Sequence, residues 1–376
     1  MRSLSGKLRD ERGNPLLRAA DRGLGIPLVA AAGLVRRRRP RPSSYERIGV
    51  LNSTNIGDTV LLSAVLRDLA AAEPSCDVIL FAGDRNAAVA SMIEGVRTAS
   101  ISLSDPLAAA RAIRAERPDV VLDFDPWPRI EALYSLASGA GYTVGFRTKG
   151  QHRHYGYDAF VDHSPSIHEL DNYRRILRPI GVSSTSEPTL AAPGLVAGDR
   201  LPSESFVVFH LWPTGRRSNL KEWPEGRWRE LARALAERGH TIVLTGGPAD
   251  RERSAAFARS LPELEVVDAA GAFALNELLD VLAASACVVS VNTGVMHMAA
   301  AVGAATVALN GPTSSRRWGP IGPRARSVDS SFAGCGYLDL GWEYRGQRQD
   351  CMLGIQVERV LAAFAEAVQS AKTAVP

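Results

Sequence analysis

The chain has 376 residues, 45% of them hydrophobic and 22% charged, which is long enough for two separate cores and ordinary for a soluble fold. The formal net charge is +4, and Arg36 to Arg39 with Arg41 hold five positives, so the rest of the chain is near neutral; a nucleic-acid-binding surface spread over the fold is excluded. Cys76, Cys287, Cys335 and Cys351 form no CxxC pair, so unpaired thiols in a reducing compartment are expected, with a Cys335–Cys351 link or metal site as the alternative.

Residues 1–44 form a segment of their own. Within it, LGIPLVAAAGLV at 24–35 is an apolar run of 12 residues holding Pro27, too short for the roughly 20 residues that a membrane span needs. The arginines follow the run, whereas a signal peptide carries its charge in front. The expected role is an interfacial anchor, with an apolar face among lipid headgroups and Arg36 to Arg39 on anionic lipid. A disordered basic tail is the alternative.

A first domain is expected over 45–181. A strand at 48–51 runs into the loop Asn52-Ser53-Thr54-Asn55-Ile56-Gly57-Asp58. A helix follows, with Leu61, Leu62, Val65, Leu66 and Leu69 on one face. Gly57 permits close backbone approach, and Asp58 falls at or near the helix N-cap, where capping alone would explain it. Strands are expected at 77–81, 98–103 and 119–122, and a helix at 108–116. The last strand ends in Asp123-Phe124-Asp125-Pro126-Trp127. Such a D-x-D triplet at a strand end can hold manganese, but alone it is a weak signal, and no metal is assigned. Gly145-Phe146-Arg147-Thr148-Lys149 with His152, Arg153 and His154 reads as a basic loop, either solvated or in contact with phosphate or carboxylate. A helix at 168–180 closes the domain.

Residues 182–204 read as a linker with room for one short strand, and the second domain as 205–376. Its first strand, 206–210, leads into LWPTGRRSNLKE at 211–222 and then Trp223-Pro224-Glu225. Pro224 suits the first position of a helix whose buried face holds Trp228, Leu231 and Leu235. A strand at 241–245 ends in Gly246-Gly247-Pro248, with Asp250 opening the next helix. Phe273 precedes a helix at 275–285 and suits either core packing or stacking on a base. Residues 287–291 are a buried strand, Asn292-Thr293-Gly294 breaks it, 295–302 is a helix, and 305–309 is a further strand ended by Gly311-Pro312-Thr313. The Asn292 loop therefore leaves the carboxyl end of a strand and opens a helix. Open α/β sheets hold ligands there, and free helix N–H groups favour phosphate. His297 falls in the first turn of that helix. An ordinary βαβ unit is the alternative. Residues 315–318 are basic, 335–351 irregular, and 355–371 a final helix.

The wording of 286–320 resembles glycosyltransferase family nine, the lipopolysaccharide heptosyltransferases, whose signature runs roughly (D)TGxxHxAAAxGxPxxALxGPTxxxxxGP. Thr293, Gly294, His297, Ala299 to Ala301, Gly303, Ala308, Leu309, Gly311 to Thr313, Gly319 and Pro320 match it. The family usually has Asp where this chain has Asn292, an amide without charge. Two further motifs fit in order: Ile56-Gly57-Asp58, and Lys221 with Trp223 and Pro224 in a KxWP context. The family's usual Arg in the loop before Asp58 is missing, with Asn52 near its place.

The resemblance covers about residues 46–370. It implies a GT-B fold, α/β, with two Rossmann-like doubly wound parallel-sheet domains facing a cleft and a final helix crossing back to the first. It also implies an inverting, metal-independent transfer of a heptose-like sugar, with no cofactor. Asp58 would be the general base, and Lys221 would stabilise the diphosphate leaving group. Thr214, Gly246, Gly247, Asp250, Phe273, Asn292, Thr293, Gly294, His297, Gly311, Pro312 and Thr313 would bind the donor, a nucleotide-diphospho-sugar such as ADP-heptose. Asn55, Gly57, Arg147 and Lys149 would face a glycan or glycolipid acceptor. The expected location is the cytoplasm, with contact at the inner face of the plasma membrane and no nucleic-acid partner. A nucleotide-sugar epimerase or a non-catalytic nucleotide-binding homologue would share much of this pattern.

Overall fold

Short β-branched runs alternate with helices along the chain, the pattern of parallel sheets covered on both faces. The computed structural model describes residues 19, 21–53, 55–103, 105–196, 201–215 and 217–370. The start of the basic N-terminal segment, the linker positions 197–200 and the last residue of the expected final helix lie outside that set. Two units emerge, Met1–Ser186 and Glu187–Pro376.

The first unit contains α1 (Ile26–Val35), β1 (Arg47–Leu51), α2 (Ile56–Ala72), β2 (Asp77–Ala82), β3 (Arg97–Ser100), α3 (Pro106–Ala115), β4 (Val120–Asp123), α4 (Arg129–Ala137), β5 (Tyr142–Arg147), β6 (Ala159–Asp162) and α5 (Glu169–Ile176). The second contains β7 (Phe206–His210), α6 (Glu225–Ala236), β8 (Thr241–Leu244), α7 (Arg251–Arg259), β9 (Val266–Asp268), α8 (Leu275–Ala284), β10 (Cys287–Val291), α9 (Gly294–Ala301), β11 (Thr306–Asn310), β12 (Ala325–Asp329) and α10 (Val357–Gln369).

Each unit forms one six-stranded sheet, in the orders β3-β2-β1-β4-β5-β6 and β12-β11-β10-β7-β8-β9. Every strand pair is parallel. The two orders are the same doubly wound topology, each reversing direction once. The reversal falls between β1 and β4 in one unit and between β7 and β10 in the other. At these points Leu51 stands beside Asp123 and His210 beside Ser290.

The apolar patterns bury as expected. Leu61, Leu62, Val65, Leu66 and Leu69 of α2 are buried, as are Trp228, Leu231 and Leu235 of α6. In the second core the Trp228 ring lies 4.9 Å from Phe209 and 5.1 Å edge-on from Trp223. Helix α10, which the resemblance sends back towards the first domain, packs on β12, β11, β10 and α6.

Several expectations need correction. The 168–180 helix is broken into α5 and a 3-10 turn at Arg178–Ile180, because Pro179 has no N–H to continue the α ladder. Gly145, Phe146 and Arg147 belong to strand β5, and Arg153 is buried, so the expected basic loop keeps only part of its residues. Not all four cysteines are the expected unpaired thiols: Cys335 and Cys351, the ends of the irregular 335–351 segment, are joined by a disulfide with Cα atoms 5.7 Å apart, while Cys76 and Cys287 stay thiols. The irregular segment folds back so that its ends meet, because Gly336 N donates to Gly311 O at 3.1 Å and Met352, beside Cys351, enters the second core. The described residues of the linker form no strand.

Candidate active site

In the first unit the loops after β1 and β4 meet. Asn55 holds extended backbone at φ −135° and ψ 148°, so α2 starts at Ile56 and Asn55 is its N-cap. Asp58 is therefore the third helical residue, not the cap. It is buried, and Asn55 Nδ2 donates to its Oδ2 at 2.5 Å. Asn52 is wholly buried. Its Oδ1 accepts from Thr59 Oγ1 at 3.0 Å, and its carbonyl from Asn86 Nδ2 at 2.8 Å. These bonds fix the path from strand to helix and leave Asn52 in a structural position.

Beneath Asp58 lies a buried acid cluster. Ser53 N donates to Asp125 Oδ2 at 3.0 Å, and Ser53 Oγ donates to Glu131 of α4. Asp123 Oδ2 accepts from Arg153 Nη2 at 2.6 Å and Tyr157 OH at 2.5 Å, while its Oδ1 accepts Asp125 N at 3.0 Å. All of these side chains are buried. One guanidinium thus faces three carboxyls. Burial, then the charge of Asp123, pushes Asp125 up to about 6, and the charge of Asp58 adds to the rise. Burial, then Asp125 and Asp123, holds Glu131 well above its ordinary range. Burial opposes the charge of Arg153, and Asp123 more than restores it. The D-x-D triplet is thereby committed to Arg153, Tyr157 and backbone N–H groups. No group of three or more acidic, His or Cys side chains fit to hold a metal ion occurs among the described residues.

Sequence reading did not single out Glu131, Ser53 or Tyr157. The only signal at Glu131 is an acid set in the apolar stretch Ile130 to Leu133. Arg147 ends β5, is exposed, and pairs with Asp162 through bonds of 2.5 and 2.7 Å. Lys149 is exposed in the following turn, and Gly57 is partly exposed in the first turn of α2.

In the second unit the donor candidates lie on the loops after strands or in the first turn of the helix that follows. After β7, Thr214 is exposed, and its carbonyl accepts from Lys221 Nζ at 3.4 Å across a 3-10 turn, Ser218–Lys221. Pro224 is the N-cap of α6, one position before the expected place. After β8, Gly246 and Gly247 turn the chain, and Asp250 Oδ2 accepts Gly247 N at 2.8 Å. Asp250 Oδ1 pairs with Arg253 Nη2 at 2.6 Å, so both oxygens of Asp250 shape the loop. After β9, Phe273 is half-buried. His210, at the end of β7, meets Thr245 Oγ1 at 3.1 Å, and burial pushes it down to about 4 against the pull of Asp250, keeping it neutral.

After β10, Thr293 is the N-cap of α9 without a side-chain cap bond, and Gly294 is the first helical residue. His297 is buried in the first turn. Asn292 Nδ2 donates to Asn310 Oδ1 at 2.7 Å and to Trp318 O at 3.3 Å. After β11, Gly311 O and Pro312 O accept from Gly336 N at 3.1 Å and Leu338 N at 2.9 Å. Thr313 Oγ1 is buried without a hydrogen-bond partner among the described residues. A cavity of about 510 Å³ lined by Pro42, Arg114, Arg117 and Asp119 opens instead at the amino ends of the first sheet, and none of the candidate residues line it.

Residues 108–335 match the family described as Glycosyltransferase family 9 (heptosyltransferase). The chain belongs to that family. The family 9 chain is 34% identical to lipopolysaccharide heptosyltransferase 1 of Pseudomonas aeruginosa over 40% of its own length and 41% of the relative's. With lipopolysaccharide heptosyltransferase 1 of Escherichia coli K12 it shares 30% identity over 56% of this chain and 67% of that one. The aligned part thus spans from about two fifths to two thirds of these relatives. Among solved structures, a family 9 glycosyl transferase from Veillonella parvula superposes with a TM-score of 0.71 at 20% identity, covering 88% of this chain and 99% of that one. E. coli heptosyltransferase WaaC with ADP gives 0.69 at 20% identity, covering 85% and 99%. These likenesses establish the GT-B fold.

Two outcomes follow from the local geometry. Asn292→Asp removes both donated bonds and sets a carboxylate against the Trp318 carbonyl, so stability should fall by about 1–3 kcal/mol, read by urea denaturation. For Asp125, a raised folded pKa means that its stabilising contribution is present below its unfolded value of about 3.9 and is lost as pH rises through about 6. Asp125→Asn should therefore gain melting temperature relative to the parent protein as pH goes from 4 to 7. A constant difference over that window would show that Asp125 ionises normally.

Proposed function

We propose that the chain is an inverting, metal-independent glycosyltransferase. It moves a heptose-like sugar from a nucleotide-diphospho-sugar, ADP-heptose by analogy with its family, to a hydroxyl of a cell-envelope glycan or glycolipid. The observation that carries the reading is the position of Asp58: a buried carboxylate in the first turn of the helix after β1, at the point where strand order reverses. Ligands of open α/β sheets gather at such points. The names of the relatives, lipopolysaccharide heptosyltransferases, support the substrate class.

In this mechanism the donor diphosphate lies at the N-terminus of α9, where uncapped N–H groups and the helix dipole favour negative charge. Lys221 is the cation for the same diphosphate. The acceptor hydroxyl gives its proton to Asp58 as its oxygen bonds to the anomeric carbon. The bond from that carbon to the phosphate oxygen breaks, the nucleoside diphosphate leaves with the electron pair, and the anomeric centre inverts. Lys221 and the α9 N–H groups take up the charge that develops on the leaving group. The reaction belongs in the cytoplasm, with a membrane-borne acceptor met at the inner face of the plasma membrane.

Loss of a general base typically lowers rate by about 10²–10⁴. Asp58→Asn should show a drop of that size in turnover while the donor dissociation constant, measured by calorimetry, stays the same; retained turnover would reassign the base. Turnover should also survive exhaustive treatment with EDTA, and a strict need for added manganese would overturn the metal-free mechanism.

A further inference from the structure

The segment before β1 forms a built element of the first unit. A π-helical turn, Asp21–Gly25, runs into α1. One face docks on the domain. A Cβ on Gly25 would stand 2.8 Å from Arg129 Cβ, and one on Gly33 would stand 2.8 Å from Tyr155 Cβ, so the two glycines set the close approach. Val29 is buried with Ala132 and Tyr157. Ion pairs clamp both ends: Arg129 Nη1 to Asp21 Oδ2 at 2.6 Å, and Arg36 Nη2 to Asp158 Oδ2 at 2.6 Å.

The opposite face is left to solvent. Leu24, Leu28, Leu34 and Val35 are 67%, 54%, 89% and 86% exposed; Leu28 and Val35, seven residues apart, fall on one side of α1, Leu34 flanks them, and Leu24 stands in the π-helical turn before the helix. Arg37 and Arg38 follow and are exposed. Arg36, expected on lipid, instead holds the helix to the domain. Arg38 lies over the Phe160 ring at 4.9 Å, and Arg147 lies over the same ring at 4.9 Å. The cationic end of α1 is therefore continuous with the Arg147 region of the unit. No helix among the described residues is long and apolar enough to cross a membrane.

We propose that α1 is a docked membrane-surface element. With its Gly25–Val29–Gly33 face fixed to the first unit, it lays Leu24, Leu28, Leu34 and Val35 into the interface of an anionic bilayer and sets Arg37 and Arg38 on the headgroups. An apolar stripe next to cationic side chains matches that surface in both polarity and charge. Fixed docking also gives the unit one orientation, with the Arg147 region facing the membrane. The proposal extends the reading of a membrane-borne acceptor and is independent of the chemistry at Asp58.

The test is flotation of the full-length protein with vesicles of phosphatidylglycerol and phosphatidylethanolamine, and with phosphatidylcholine vesicles alone. The anionic vesicles should carry the protein and the neutral ones at least tenfold less, with binding falling between 0.05 and 0.5 M salt. Leu34→Glu with Val35→Glu should lower the floated fraction at least tenfold with an unchanged circular dichroism spectrum, since neither side chain is in a core. Arg37→Glu with Arg38→Glu should do the same at low salt. Flotation of L34E/V35E at the parent level, or equal binding to neutral and anionic vesicles, would overturn the proposal. So would a dimer seen by light scattering that L34E/V35E abolishes while flotation stays unchanged, because a second copy would then be the occupant. Transfer to a soluble, deacylated acceptor should be equal in parent and L34E/V35E. Absent transfer by the parent protein would count against the catalytic reading and leave the flotation result standing.

Discussion

Two register contacts hold the candidate sites in place: Leu51 beside Asp123 and His210 beside Ser290. Each marks a place where neighbouring parallel strands send their chains to opposite faces of a sheet. The carboxyl ends of the strands are uncovered there, and the following helices begin with unpaired N–H groups. Asp58, Lys221 and Gly294 all owe their positions to this constraint. A one-residue slip in either pair would turn the strand's side chains to the other face and carry the attached loops with them.

The first unit places several carboxyls near the first turn of α2, which holds Asp58, with Arg153 as their buried counter-charge. Burying unpaired charge is expensive, and the usual outcome is a shifted pKa. Asp123 takes the guanidinium and the Tyr157 hydroxyl, while Asp125 and Glu131 are held towards their neutral forms. Asp58, at the edge of the cluster, is thus set over groups of reduced charge.

The second unit relies on amide and backbone bonds. Asn292 donates to Asn310 and to the Trp318 carbonyl, which ties the turn after β10 to the turn after β11. The Gly311-Pro312-Thr313 turn is in turn braced by backbone bonds from Gly336 and Leu338, and the Cys335–Cys351 link closes the segment that supplies them. The amide at 292 therefore has a packing reason: it must donate twice, which a carboxylate does not do.

The sequence alone determined most of the alternation of strands and helices, the family motifs and the faces of α2 and α6, because these follow from local periodicity and from residue types at fixed spacing; the two doubly wound units were implied by the family resemblance. Edge strands β6, β9 and β12 escaped that reading. They are short, and only one side chain in the three is buried, so their sequence carries little apolar period. The buried partnership of Asp123 with Arg153, the place of Glu131 under Ser53, the joining of Cys335 to Cys351 and the docking of α1 were decided by tertiary structure. Each joins residues distant in sequence or separated by irregular chain, and its energy comes from desolvation and packing that no local pattern encodes.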